Sequence, residues 1–102
     1  MATSVGPVTV SPGLPGGNRA WLDITAAQVI KAAPGICVSV AVVVAGTTAG
    51  TVNDVATTGG AAAANQFGTI PATVGTYTFN WPCGTGIVVV PGTSQTLAVS
   101  YS

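Results

Sequence analysis

Thr76-Tyr77-Thr78-Phe79-Asn80-Trp81 is the stretch that decides the fold class. Aromatic residues stand at every second position with polar residues between them. That period of two belongs to a β-strand, and a helix would need a period of 3.6. Aromatic and Thr residues also fit the pleated, half-buried surface of a sheet. The stretch predicts a strand from Thr76 to Trp81. Tyr77, Phe79 and Trp81 would form its core stripe, while Thr76, Thr78 and Asn80 face water or an interface.

Working outward, Ile36 to Val44 reads as a second strand. Ile36, Val38, Val40, Val42 and Val44 would line one face. Cys37, Ser39, Ala41 and Val43 line the other, and their small size would let something pack closely there. Ile87 to Val90 is a short strand bounded by Gly84-Thr85-Gly86 and Pro91-Gly92. Leu97, Val99 and Tyr101 then alternate with Thr96, Ala98 and Ser100 in a last strand, so Tyr77 to Tyr101 reads as a three-stranded meander. Further strands are expected at Val5 to Val10, Trp21 to Thr25, Gln28 to Lys31 and Thr51 to Val55, with Pro7 placing the first at an edge. Pro12-Gly13-Leu14-Pro15-Gly16-Gly17 is an irregular loop. Ala61 to Ala64 suits either one helical turn or a long loop crossing the end of a sandwich.

Seven or eight short antiparallel strands separated by turns imply an all-β domain, a β-sandwich or jelly-roll-like fold. The expected organisation is a Pro/Gly-rich N-terminal arm or edge strand over residues 1–20 and a single β-sandwich domain over residues 21–102.

Charge is scarce. Arg19, Lys31, Asp23 and Asp54 are the only charged side chains, 4% of 102 residues, against roughly 25% in average soluble proteins. A net charge of zero removes the repulsion that keeps small proteins apart, and open sheet edges bind one another unless charged, bulged or covered. Both features favour obligate assembly with partners; a secreted domain with a neutral Thr/Gly-rich surface is the alternative. Nucleic acid is not an expected partner, because two cations cannot neutralise the several phosphates that carry such affinity. Nor is a membrane, since the apolar run from Ile36 to Ala45 falls far short of the ~20 residues of a spanning helix. Met1-Ala2-Thr3-Ser4 lacks the basic and apolar regions of a secretion signal, so synthesis in the cytosol is expected. Cys37 and Cys83 match no metal-site spacing. In a reducing cytosol they are expected as two buried thiols; a secreted subunit would carry them as a disulfide.

The residues needed for catalysis are mostly missing. The chain has no histidine, which rules out Ser-His-Asp and Cys-His arrangements. Asp23 and Asp54 could formally make an acid/base pair, but separate surface or turn aspartates are the simpler reading. The glycine-rich stretches lack the Gly-Lys-Ser/Thr ending of a phosphate loop. The expectation is therefore a protein that is not an enzyme, with no catalytic residues, no cofactor and no metal. Trp21, Tyr77, Trp81 and Tyr101 could form a sugar-stacking platform, as in carbohydrate-binding modules; the competing reading makes Tyr77, Phe79 and Trp81 core. Arg19 and Trp21, just after the Pro/Gly loop, are the candidate partner contacts, because interface anchors favour Trp and Arg.

Two stretches carry a resemblance. One runs from Pro34-Gly35-Ile36-Cys37 through Val44-Ala45-Gly46 and on through Gly50-Thr51-Val52-Asn53-Asp54. The other is Tyr77-Thr78-Phe79-Asn80-Trp81-Pro82-Cys83-Gly84-Thr85-Gly86 with Ile87 to Gly92, continuing to Ser102. Together they resemble a family of short proteins encoded among the structural genes of tailed bacteriophages and prophages. The resemblance covers roughly Gln28 to the C-terminus, and departs from the family at Ile36-Cys37, where a basic residue often follows Pro-Gly. It implies a virion component, a capsid decoration (cement) protein on the outer surface of the shell. Such proteins look like β-sandwiches or jelly rolls that cluster, often as trimers, over joints of the major capsid protein. A tail, collar or head-fibre component fits the same composition.

Overall fold

The computed structural model describes residues 19–102. Eight strands run in chain order: β1 (Arg19–Ile24), β2 (Gln28–Lys31), β3 (Gly35–Val44), β4 (Gly50–Asn53), β5 (Gln66–Ile70), β6 (Gly75–Cys83), β7 (Ile87–Val90) and β8 (Thr96–Tyr101). The expected strand at Val5 to Val10 and the loop from Pro12 to Gly17 lie outside the described residues. Arg19 and Ala20, expected in an arm or edge strand, begin the edge strand β1 and pair with Tyr101 and Ser100. Where one helical turn or a loop was expected around Ala61 to Ala64, two short 3-10 turns form, Thr58–Gly60 and Ala63–Asn65.

The strands make two four-stranded antiparallel sheets, β1-β8-β3-β6 and β2-β7-β4-β5. Their pairing is nested. β4 pairs with β5, β3 with β6, β2 with β7 and β1 with β8. A single long antiparallel hairpin rolled over on itself gives this order, the jelly-roll arrangement of a sandwich. The sandwich expected from the sequence is thus found, but the meander is not. β6 and β8 lie in one sheet on either side of β3, while β7 crosses to the other. Period-two alternation says which side chains share a face; it does not say which sheet a strand joins.

The core lies between the sheets. Cys37, Val40, Val42, Leu97, Val99, Tyr101 and Cys83 come from the first sheet, Ile30, Val52, Ile70, Ile87 and Val89 from the second, all buried. Strand β3 departs from the expected stripe for a definite reason. Its register with β8 slips by one residue between Cys37 and Ser39, and again between Val42 and Val44. Each slip moves the side chains beyond it across the sheet. Cys37 therefore joins the core with Val40 and Val42, while Ile36 and Val44, expected inside, are exposed.

A similar slip alters β6. Thr78 pairs with Ser39 and Trp81 with Cys37, so β6 carries one residue more than β3 over that interval. Asn80 takes up the bend with a left-handed φ of 48°, a conformation Asn tolerates better than most residues. Tyr77 and Phe79 pack on the core as expected. Trp81 keeps the core-side parity of β6 but is not buried, because β6 is an edge strand: 46% of its surface is exposed. It stacks instead on Phe67, with centroids 5.4 Å apart and planes 8° from parallel, while Phe67 meets Phe79 edge-on at 6.0 Å.

Polar side chains stitch both ends of the sandwich. At one end, the buried Gln95 accepts the Gly92 N–H at 2.9 Å and donates to the Pro71 carbonyl at 2.8 Å. Backbone bonds from Gly46 to Ala72 and from Thr47 to Thr93 tie the same loops together. Gly92 is required there, because a Cβ would collide with the Thr48 carbonyl. At the other end, Asp54 Oδ2 accepts the Gly84 N–H at 3.0 Å. Its Oδ1 accepts those of Thr85 and Gly86 at 2.8 and 3.2 Å. That carboxylate fixes the β6–β7 turn.

Candidate partner-binding surface

Among the described residues, nothing covers the face of the first sheet that points away from the core. Ser39 pairs with Ser100 and Ala41 with Ala98 across β3 and β8, and Ala20 pairs with Ser100 across β1 and β8. Rows of small side chains in register across three strands make a shallow floor. The result is a trough of about 190 Å³ lined by Ala20, Leu22, Ser39, Ala41, Ala98 and Ser100, without a charged side chain. Leu22 stands at its rim with 69% of its surface exposed. The small face of Ser39 and Ala41 is visible in the sequence. Its alignment with Ala98 and Ser100 is not, because strand register is not written in either strand alone.

Arg19 and Trp21 lie on β1, at the margin of the same sheet. They pair directly with Tyr101 and Val99, whose side chains point into the core. Opposed residues of an antiparallel pair share a face, so Arg19 and Trp21 point to the core side, away from the trough. Being on the outermost strand they stay open to solvent, Trp21 with 39% exposure. One edge thus brings together the two sequence candidates and Leu22, on its two faces.

The proposed four-aromatic platform does not assemble. Trp21 is on β1 and Trp81 on β6, at opposite edges of the sheet, and Tyr101 is buried. Tyr77 is engaged through its hydroxyl with Thr73, bonding the carbonyl at 2.9 Å and the side-chain oxygen at 2.9 Å. What remains is a smaller aromatic patch of Trp81 backed by Phe67. Sequence reading misses Phe67, because Gly68 interrupts the alternation of β5. Gly68 is there to admit the Phe79 ring, which a Cβ at that position would approach to 2.7 Å.

The surroundings of Cys37, Cys83 and Asp54 set their ionisation. Cys37 and Cys83 are buried, unbonded thiols. Burial, reinforced by the neighbouring Cys83, pushes Cys37 up to about 12. Burial and the Asp54 charge push Cys83 up to about 11, against a backbone hydrogen bond from Cys37 that acts the other way. At these values little thiolate, the reactive form, is present near neutral pH. For Asp54, partial burial acts to raise the pKa, but the backbone bonds from Gly84, Thr85 and Gly86 outweigh it and hold the carboxyl below its usual value. Among the described residues no group of three or more His, Cys, Asp or Glu side chains could hold a metal ion, and no helix is long and apolar enough to cross a membrane.

Comparison with models of protein families, with curated proteins and with solved structures found no match.

Proposed function

We propose that this protein is a non-enzymatic virion subunit, a capsid decoration protein that seats on the outside of a phage shell at joints between major capsid subunits. The observation that carries the reading is the uncharged trough on the outer face of the first sheet, rimmed by Leu22. A flat, small-residue face lets another backbone approach closely, and no charge has to be desolvated when it is covered. Fold-level analogy points the same way, since jelly rolls recur in viral capsid and lectin domains. The phage-protein resemblance of the two stretches around β3 and β6–β8 adds the capsid context.

The mechanism is additive burial. Each subunit would remove apolar surface from water at roughly 25 cal/mol per Å², part of which association costs absorb. Repeated over a shell, modest contacts of this kind resist outward pressure. The subunit would be made in the host cytoplasm, bind the shell and other copies of itself, and need no cofactor. Residues 1–18 would serve as an arm across a neighbour.

The test is binding of the purified chain to shells that lack it, read by co-sedimentation. Ala98→Arg, which raises a long cation from the trough floor, is expected to abolish binding while thermal unfolding of the free subunit stays close to normal. Unimpaired binding of that variant would remove the trough from the contact. A second reading, a carbohydrate-binding module, is favoured by one observation: Trp81 is half-exposed and stacked on Phe67. It predicts a tryptophan fluorescence change with soluble glycans that Trp81→Ala eliminates.

A further inference from the structure

The floor of the trough is built for a close neighbour and, among the described residues, has none. Ala20, Ser39, Ala41, Ala98 and Ser100 put nothing larger than a hydroxymethyl group over the backbone of three strands, and Leu22 stands beside them 69% exposed. The space of about 190 Å³ would hold several waters at ~30 Å³ each, but its lining offers them few hydrogen bonds. An uncharged apolar side chain suits it better.

Eighteen residues precede Arg19, and they enter the fold at the trough itself. Arg19 opens β1, and Ala20, the next residue, belongs to the lining. None of the eighteen has a charged side chain. Nearest the fold is Pro12-Gly13-Leu14-Pro15-Gly16-Gly17-Asn18, in which Leu14 is the one large aliphatic residue. Pro15 biases Leu14 to extended backbone, and the two prolines reduce the entropy lost when the stretch is ordered. Polyproline-type backbone asks for no hydrogen bonds from the surface beneath it, so it can lie on a sheet face whose backbone groups are already paired. Gly16-Gly17 allows the chain to reverse. Reach is sufficient as well. Leu14 stands five residues before Arg19, and that tether spans up to ~17 Å when extended. Crossing from β1 to β3 takes two strand spacings, ~10 Å.

We infer that Leu14 seats in the trough of its own chain, so that residues 12–18 cover the outer face of the first sheet in the free subunit. The short tether holds Leu14 at an effective concentration in the millimolar range, well above that of a second copy in dilute solution. The occupant is therefore the chain's own arm. The docking is a property of the free chain. Its consequence rests on the proposed function: a shell must displace the arm to reach the trough, and the displaced arm is then free to lie across a neighbour.

Ser100→Cys exchanges one oxygen for sulfur on the trough floor and supplies a thiol that reports cover. Cys37 and Cys83 are buried, so the new thiol is the fast one under native conditions. In the purified full chain it should react with an alkylating reagent at least ~tenfold more slowly than in the same chain carrying Leu14→Asp, whose carboxylate is costly to desolvate in an apolar trough. Thr3→Asp, the same charge farther along the arm, should leave the slow rate unchanged, and the rate should not depend on protein concentration. Equal rates with and without Leu14→Asp, release by Thr3→Asp as well, or protection that grows with concentration would each overturn the docking. The methyl signals of Ala41 and Ala98, with Ser100 in place, read the same contact without the added thiol. They should shift on Leu14→Asp, and unmoved signals would equally overturn it. Neither measurement needs a shell. Shell binding with labelling indifferent to Leu14→Asp would sink the arm alone, and a protected trough with no shell binding would sink the proposed function alone.

Discussion

Replacing Gln95 by Met keeps the length of a side chain that is 1% exposed and removes both of its hydrogen bonds. The Gly92 N–H loses its acceptor at 2.9 Å, and the Pro71 carbonyl loses its donor at 2.8 Å. A buried polar group left without a partner costs about 1–3 kcal/mol. Gly92 is half-buried and Pro71 exposed, so water recovers part of both losses, and the apolar thioether gains a little by burial. The net expectation is a destabilisation of about 2–3 kcal/mol, a large share of the ~5–15 kcal/mol that holds a typical domain folded. Equilibrium unfolding in urea should show the midpoint falling with the slope unchanged, since the surface exposed on unfolding is nearly the same. A midpoint shift worth less than ~0.5 kcal/mol, the range of ordinary surface substitutions, would refute the reasoning. It would show that the backbone bonds at Gly46 and Thr47 hold that end of the sandwich without Gln95.

Other consequences can be checked on the same purified chain. The folded-state pKa of Asp54 is depressed. Its contribution is therefore present above the ordinary aspartate value of ~3.9 and lost as the pH falls through the folded value. Unfolding midpoints should separate wild type from Asp54→Asn at pH 7, and the gap should narrow at the acid end. Both cysteines should resist an alkylating reagent in the native state and react together once the chain is unfolded, given thiols held near 12 and 11; fast native labelling of either would contradict their burial. Gly92→Ala should destabilise the domain by more than 1 kcal/mol, about the upper end of a simple glycine effect, because its methyl meets the Thr48 carbonyl. Thermal unfolding reads that directly.

Much of the fold is legible in single strands. β2, β7 and β8 have the bounds that the sequence predicts. β5 is hidden by Gly68, whose reason lies across the sandwich in the Phe79 ring. The faces of β3 go astray at the slips near Cys37 and Val42, where one extra residue reverses the parity of the rest of the strand, while Trp81 keeps the core-side parity of β6 and is exposed because β6 is an edge strand. Such slips depend on the neighbouring strand and leave no local signature. The surface divides in the same way. Arg19 and Trp21 read as exposed candidates from their own identities, and β1 does carry them on an edge strand. The trough needed Ser39, Ala41, Ala98 and Ser100 brought into register from strands more than fifty residues apart in the chain. Asp54 looks like a turn aspartate in the sequence, while its three donors lie thirty residues and more downstream.

Whether this chain coats a phage shell is read most directly from its copy number in purified particles, counted by mass spectrometry against the major capsid protein. A decoration protein should be present at one copy, or a simple fraction of a copy, per shell subunit. A handful of copies per particle would place the chain in a tail or collar, and its absence from particles would contradict the proposed role outright.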